Sequence, residues 1–295
     1  MKCGVVAITG RPNVGKSSLI NALLKAHAVI SSPKPQTTRN LIRCIYNGKD
    51  SQIIFTDTPG FLMPSEKDRL NIFLRDEIID ALDDSDLVLW LIDAGTRKLT
   101  PEDYQTAELM KSRPVILAAN KCDRYNPEQA FALYEKICPC LNKIAVSARN
   151  KTGLDDLLAL ITSHLPEGEP LYDPEILMDT TERFMAGEII REKVLLFLRD
   201  EVPHCVAVEI DDYKSPEEYP DRKKLYIRAS LITETEGQKG ILIGSGGSMI
   251  KRIGGASRQA IEEATGLPVF LDLWAKVIPN WRKNNLALKR LGYSY

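Results

Sequence analysis

The sequence is short of long apolar runs and of histidine, and it carries almost no net charge. No apolar run in its 295 residues approaches the ~20 needed to cross a bilayer, which excludes a protein built on membrane-spanning helices. Three histidines, His27, His164 and His204, stand at no spacing that would pair them with a ligand or a catalytic partner. Six cysteines are scattered without a disulfide framework. Cys138-Pro139-Cys140 has no second Cys/His pair at zinc spacing, so reduced thiols are expected. There is no internal repeat and no low-complexity tract. Met1-Lys2-Cys3-Gly4 runs straight into a strand-like stretch, so no signal peptide is expected and the expected compartment is the cytoplasm.

The net charge of −1 conceals an asymmetry. From Lys239 onward nine Lys/Arg face three acids, so this end carries +6 and the remainder −7. A basic end on an acidic body suits a polyanion, either nucleic acid or anionic lipid. The length suggests about two domains.

What the sequence does contain is concentrated near its start. Val5-Val6-Ala7-Ile8-Thr9 reads as a buried strand, and Ser18-Leu19-Ile20-Asn21-Ala22-Leu23-Leu24 as an apolar-periodic helix. Between them, Gly10-Arg11-Pro12-Asn13-Val14-Gly15-Lys16-Ser17 fits G-x-x-x-x-G-K-[ST] at every fixed position, in the strand-to-helix context that the motif requires. Glycines let backbone N–H groups turn around an anion, and the helix N-terminus adds partial positive charge. Lys16 can reach the outer phosphates, and the Ser17 hydroxyl can ligate Mg²⁺. The stretch predicts a nucleoside-triphosphate site.

Strand-like runs over 41–46 and 52–56 flank Asn47-Gly48, a hairpin signal. Continuous apolar runs at 87–92 and 115–119 suit strands buried on both faces, and a shorter one spans 143–146. Helical patterns fall between them at 70–82, 101–111, 128–137 and 154–164. The alternation predicts an α/β fold with a mostly parallel six-stranded sheet, one antiparallel hairpin, and helices on both faces. Ligands on such sheets sit at the carboxyl ends of the strands, where each further motif falls. Asp57 ends its strand, so its carboxylate can hold Mg²⁺ through water, and the Gly60 N–H can face the γ-phosphate beyond Thr58 and Pro59. Asn120-Lys121-Cys122-Asp123 follows the 115–119 run. A carboxylate at Asp123 can accept from both the N1–H and the 2-amino group of guanine, a donor pair that adenine lacks, with Asn120 and Lys121 shaping the pocket. After Ser147, the Ala148 region offers a backbone N–H for the guanine O6. The expected nucleotide is GTP.

The Pro-rich, acidic stretch from His164 to Pro174 reads as a domain boundary, giving an expected first domain over 1–165, a linker over 166–180 and a second domain over 181–295. In the second, a helix over 182–200 precedes alternating strands around Val206–Ile210 and Leu225–Leu231, separated by a charged loop over 211–223. Gly240-Ile241-Leu242-Ile243 then leads into Gly244-Ser245-Gly246-Gly247. The expected order beyond it is a short helix, a further helix over 256–265 and a strand over 269–277. A G-x-x-G loop in this order resembles a type II KH module, a smaller α+β domain whose loop clamps single-stranded nucleic acid while an apolar groove takes the bases. The loop lacks the lysine usual in such modules, which shifts phosphate binding toward Lys239, Lys251 and Arg252. Trp281, beside Arg282 and Lys283, could stack on an unpaired base or cap the small core.

The nucleotide motifs in this order resemble the translation-factor-like GTPases. The stretches Gly10–Ser18, Lys34-Pro35-Gln36-Thr37-Thr38-Arg39-Asn40 and Asp57-Thr58-Pro59-Gly60-Phe61, with Asp272–Val277 and Ile278–Lys283, resemble the Era family across essentially the whole chain. The resemblance implies that the loop between Ile30 and Arg39 is a switch, in which Thr38 (Thr37 as the alternative) ligates Mg²⁺ only when the γ-phosphate is present. It implies that Asn13 helps to hold a K⁺ ion. Phe61 stands where many GTPases carry a water-orienting glutamine, so slow turnover is expected; no arginine finger is evident in cis, with only Arg39 left open. The implied partner is the 3′ end of small-subunit (16S) ribosomal RNA during assembly of the small subunit, bound by a monomer that takes no DNA. The alternative is a signalling GTPase whose basic end meets anionic lipid on the inner face of the cell membrane.

Overall fold

The computed structural model describes residues 1–32, 34, 37–60, 69–218 and 223–293, and the chain forms two compact units that divide between Asp179 and Thr180. The first contains strands β1 (Lys2–Thr9), β2 (Ile42–Asn47), β3 (Ser51–Asp57), β4 (Leu87–Asp93), β5 (Val115–Asn120) and β6 (Asn142–Ala145). Its helices are α1 (Lys16–Leu24), α2 (Arg69–Asp83), α3 (Pro101–Leu109), α4 (Glu128–Tyr134) and α5 (Leu154–His164). The strands form a six-stranded sheet in the order β2-β3-β1-β4-β5-β6. β2 alone runs antiparallel, against β3. The expected architecture is therefore present, and the continuous apolar runs are explained by burial on both faces: every residue from Leu87 to Ile92 and from Val115 to Asn120 is buried. Trp90, Leu117, Met110 and Tyr134 anchor one of the two sides.

Register brings the motifs to one end. Ile8 lies opposite Asp57, Thr9 opposite Trp90, Asp93 opposite Asn120, and Ala119 opposite Ala145. The loops that leave these strands therefore emerge side by side at the carboxyl edge of the sheet.

Residues 166–179 lack helix or strand periodicity, yet their backbone is bonded along this unit. Cys3 N–H donates to Pro166 O at 3.1 Å and Gly168 N–H to Met1 O at 3.0 Å. The fully buried Gln52 accepts on Oε1 from the N–H groups of Leu171 (2.7 Å) and Tyr172 (3.0 Å), while Nε2 donates to Tyr172 O at 2.8 Å. Ile45 N–H then donates to Leu177 O, and Asp179 N–H to Arg43 O. The segment read as a linker is in this way bonded to β1 and to Gln52 of β3, and its residues 177–179 pair with the edge of β2, covering part of an edge that would invite intermolecular pairing.

The second unit contains α6 (Glu182–Phe197), β7 (Ala207–Lys214), β8 (Leu225–Thr233), α7 (Glu236–Ile243), α8 (Ser248–Thr265), β9 (Val269–Val277) and α9 (Asn285–Arg290). Its sheet has the order β7-β8-β9, with β7 antiparallel and β9 parallel to β8. Leu225, Ile227, Ala229 and Leu231 alternate onto one face of β8 and form a core with Ile190, Val194, Leu242, Ile253 and Ile261 from the helices. Two expectations change. β7 continues to Lys214 through a register shift between Ile210 and Asp212, so the charged loop is shorter than the run of charges suggested. The separate helices expected after the G-x-x-G loop are one helix, α8, unbroken through Gly254-Gly255. A Cβ on Gly254 would lie 3.3 Å from the Leu273 side chain, so this glycine lets the helix approach β9 rather than ending it.

Candidate functional site

The phosphate loop joins β1 to α1 through two backbone conformations that favour glycine. Gly10 has φ +148°, and a Cβ there would lie 2.1 Å from Leu91 O; Gly15, the residue before α1, has φ +100°. Lys16 is buried and donates to the carbonyls of Gly10 (3.0 Å) and Arg11 (3.2 Å), which close the loop over its ammonium. Burial lowers the pKa of this lysine to about 8, against the opposing pull of Asp57.

The three residues expected at the metal converge. Ser17 Oγ donates to Asp57 Oδ2 at 2.9 Å, and Thr38 Oγ1 donates to the same oxygen at 3.0 Å. The two hydroxyls lie 3.2 Å apart. Two hydroxyls and a fully buried carboxylate form a set of hard oxygen donors suited to Mg²⁺ with water completing the shell. Of the two threonines left open by the sequence, Thr38 meets Asp57, whereas the Thr37 hydroxyl donates to Lys34 O at 2.7 Å. Thr58 donates to Ile8 O at 2.8 Å and ties the Asp57-Thr58-Pro59-Gly60 turn to β1. A Cβ on Gly60 would lie 2.9 Å from the Pro12 ring, so the turn closes directly against the phosphate loop. Arg39 is fully buried. Phe61, like Pro35 and Gln36, lies outside the described residues.

The base site is assembled from strand ends. Asn120 donates through Nδ2 to Val14 O (2.8 Å) and accepts on Oδ1 from the Ala148 N–H (3.0 Å), bracing the phosphate loop against the loop after β6. Lys121 Nζ donates to Asn13 O (2.8 Å) and to Asp93 Oδ2 (2.7 Å). Asp123 accepts from Ser147 Oγ at 2.6 Å, a bond that holds its carboxyl below the usual carboxylate range. An ionised Asp123 is the state that accepts two guanine donors. Between these groups and Ser18 lies a cleft of about 530 Å³, ample for a nucleoside. Its lining includes Arg149, beside Ser147 and Ala148, and Ser31 and Ser32 from the loop after α1, together with Arg124, which the motifs do not announce. Asp93 is a further residue that the motifs miss, although its place at the end of β4, level with Asn120, is a legible signal.

In the second unit the loop Gly244–Gly247 joins α7 to α8. Gly244, Gly246 and Gly247 have φ of +73°, +58° and +78°. A Cβ on Gly244 would lie 2.8 Å from Met249, whereas one on Gly246 meets nothing within 4 Å. The loop is therefore packed at one end and open at its tip. The exposed Ile241 precedes it, and Lys251 and Arg252 are exposed on the first turns of α8, with the Arg252 guanidinium 4.3 Å over the Phe197 ring. Exposed Ser245 lies in the loop, and Lys239 pairs with Glu236 at 3.4 Å. Trp281 is elsewhere. It is fully buried, donates from Nε1 to Cys205 O at 2.9 Å, and stacks on Tyr293. Its ring is not available to a base, and the core-capping alternative holds. Arg282 makes a two-point pair with Glu234, with Nε 3.0 Å from Oε2, while Lys283 is exposed.

The comparisons agree with this division. Residues 5–121 match a family model described as a 50S ribosome-binding GTPase, and residues 201–282 match a KH domain. GTPase Era of Caldanaerobacter subterraneus subsp. tengcongensis is 42% identical over 298 residues, covering 99% of this chain and 98% of the relative. That of Lacticaseibacillus paracasei is 42% identical over 297 residues, covering 99% and 96%. Among solved structures, a single-residue variant of Aquifex aeolicus Era bound to GDP·AlF4⁻ is 36% identical, covers 100% of both chains, and superposes with a TM-score of 0.94. An Era in complex with MgGDPNP and nucleotides 1506–1542 of 16S ribosomal RNA is 37% identical, again over 100% of both chains, with a TM-score of 0.93. With full-length identity of this order, a nucleotide site complete in its motifs and a KH domain behind it, the chain belongs to the Era family of GTPases.

Proposed function

We propose that this GTPase is a slow molecular switch that binds the 3′ end of small-subunit ribosomal RNA and acts in assembly of the small ribosomal subunit. The observation that carries the switch is the meeting of Thr38 with Ser17 and Asp57. Thr38 lies in the loop between α1 and β2, so a ligand set that includes it makes the position of that loop depend on what occupies the phosphate site. Held by Ser17, Thr38 and Asp57, Mg²⁺ would neutralise charge on the β- and γ-phosphates. Lys16 places its ammonium against the same phosphates, and the Gly60 N–H faces the γ-phosphate as water attacks it to give GDP and phosphate. Asn13 and a K⁺ ion would supply further positive charge. Asp123, with Asn120, Lys121, Ser147 and Ala148 around it, selects guanine.

The RNA reading is supported by the open tip of the Gly244–Gly247 loop and by Lys251 and Arg252 beside the start of α8. It is supported too by the likeness to the Era solved in complex with 16S nucleotides 1506–1542. Exposed Lys283 adds positive charge farther along the unit, whereas Lys239 and Arg282 are paired with Glu236 and Glu234. A lipid-bound role would place the same basic groups on an anionic surface, and no described helix is long and apolar enough to cross a membrane. The test is binding of an RNA oligonucleotide with the 16S 3′-terminal sequence, compared with a scrambled oligonucleotide and with anionic vesicles. Preference for the 3′-terminal RNA when a GTP analogue is bound supports the reading. Equal binding of both RNAs, or binding to vesicles alone, contradicts it.

A further inference from the structure

The phosphate loop is anchored from behind, at a residue that nothing in the nucleotide chemistry itself requires. Arg11, the second residue of the loop, donates from Nε to Asp103 Oδ1 at 2.7 Å, from Nη2 to Asp103 Oδ2, and from Nη2 to Lys98 O at 3.0 Å. Asp103 is 1% exposed and belongs to the first turn of α3, where it also accepts from the Thr100 N–H at 2.7 Å as half of a capping box. Its Oδ1 accepts a further bond from Tyr134 OH at 2.9 Å. Tyr134 is itself buried on α4, edge-on to Trp90 of β4, with ring centroids 4.9 Å apart. One carboxylate therefore gathers the phosphate loop, the start of α3 and the end of α4 at a single point. Burial alone would push the Asp103 carboxyl up, but the bonds from Arg11, Thr100 and Tyr134 hold it below its ordinary value.

The backbone of Arg11 links this anchor to the chemistry. Its carbonyl is one of the two that accept from Lys16 Nζ, the other being that of Gly10. Fixing the Arg11 side chain fixes that carbonyl, and with it the resting place from which the Lys16 ammonium meets a phosphate. From this we infer that Arg11, Asp103 and Tyr134 are positioning residues that act on the nucleotide through Lys16. None of the three needs to touch the ligand. A bidentate guanidinium–carboxylate pair of this kind adds geometric precision as well as energy, and a lysine, whose donors all sit on one nitrogen without the planar fork, would not reproduce it. The rival reading is that the cluster only stabilises the fold.

A double-mutant cycle separates the two. Affinity for GDP, followed with a fluorescent GDP analogue on the full chain, is measured for Arg11→Gln and Tyr134→Phe, each in the wild-type and the Lys16→Met backgrounds. Action through Lys16 predicts a loss of about tenfold for Arg11→Gln and about threefold for Tyr134→Phe in the wild type, and no further loss from either once Lys16 is gone. Equal losses in both backgrounds, or no loss in the wild type, overturn the inference. Tyr134→Phe keeps the ring against Trp90 and removes one hydrogen bond, so it decides the matter even where Arg11→Gln fails to fold.

Discussion

The hydroxyl of Thr38 donates to Asp57 Oδ2 across 3.0 Å, joining a loop residue to the end of a buried strand. Ser17 shares the same oxygen, so one carboxylate reports on both the phosphate loop and the loop between α1 and β2. In the Thr38→Val variant the shape is kept and the oxygen lost. GDP affinity is expected to stay within about twofold while affinity for a non-hydrolysable GTP analogue falls about tenfold, the scale of one charge-assisted contact. Titration of the two nucleotides with Mg²⁺ present checks this, and equal losses would place Thr38 outside the switch.

Base selection is proposed to rest on Asp123. Its carboxylate is ionised and oriented by Ser147, and Asp123→Asn replaces one acceptor oxygen with a donor amide. Guanine affinity is expected to fall about a hundredfold or more, because buried donors on the base lose their partner. Xanthine, which offers a carbonyl in place of the 2-amino group, should gain. Competition between GDP and xanthosine diphosphate gives the readout.

Lys16 predicts a pH dependence. Burial lowers its pKa from 10.5 to about 8 in the nucleotide-free protein, whereas phosphate oxygens favour the charged form and raise it again. Binding therefore takes up a proton above about pH 8. GDP affinity is expected to be flat below that pH and to fall by up to about tenfold per unit above it. Stability of the nucleotide-free fold moves the other way. Between about pH 8 and 10.5 the unfolded chain holds the Lys16 proton and the folded one has released it, so the Lys16 contribution rises with pH through that window. Both slopes should vanish in Lys16→Met.

Two glycines of one loop should separate folding from binding. Gly246→Asp introduces a side chain where a Cβ meets nothing within 4 Å, at a φ of +58° that aspartate tolerates. Thermal stability should hold within about 1 kcal/mol while RNA affinity drops through repulsion of the phosphates. Gly244→Ala puts a Cβ 2.8 Å from Met249 and should cost about 1–3 kcal/mol of stability. Melting curves and RNA binding, measured on both variants, test the pair.

Much of this was legible in the residues. Continuous apolar runs marked strands covered on both faces, and the motifs fell at their carboxyl ends because the parallel order of the sheet requires it. The segment 166–179 was not legible as a bonded strap, because its partners are the Gln52 side chain and the edge of β2, neither of which leaves a periodic trace. Gly254-Gly255 suggested a break in a helix where the glycine instead makes room for Leu273. Trp281 beside two cations looked like a stacking surface, but its indole N–H had a buried carbonyl to satisfy. The Arg11–Asp103–Tyr134 cluster joins residues 92 and 31 positions apart, a separation at which pattern reading carries no information.

The proposed switch depends on one coupling, between the nucleotide held at the amino end and the RNA held at the carboxyl end. Linkage makes it reciprocal: whatever factor GTP adds to RNA affinity, RNA must add to GTP affinity. The direct measurement is a pair of titrations on the full-length protein, 3′-terminal 16S RNA into protein saturated with GTP analogue or GDP, and each nucleotide into protein with and without that RNA. Tighter RNA binding is expected with the GTP analogue, by about 5–100-fold, with the same factor in the reverse titration. RNA affinity that is identical with GTP analogue and GDP would contradict the coupling.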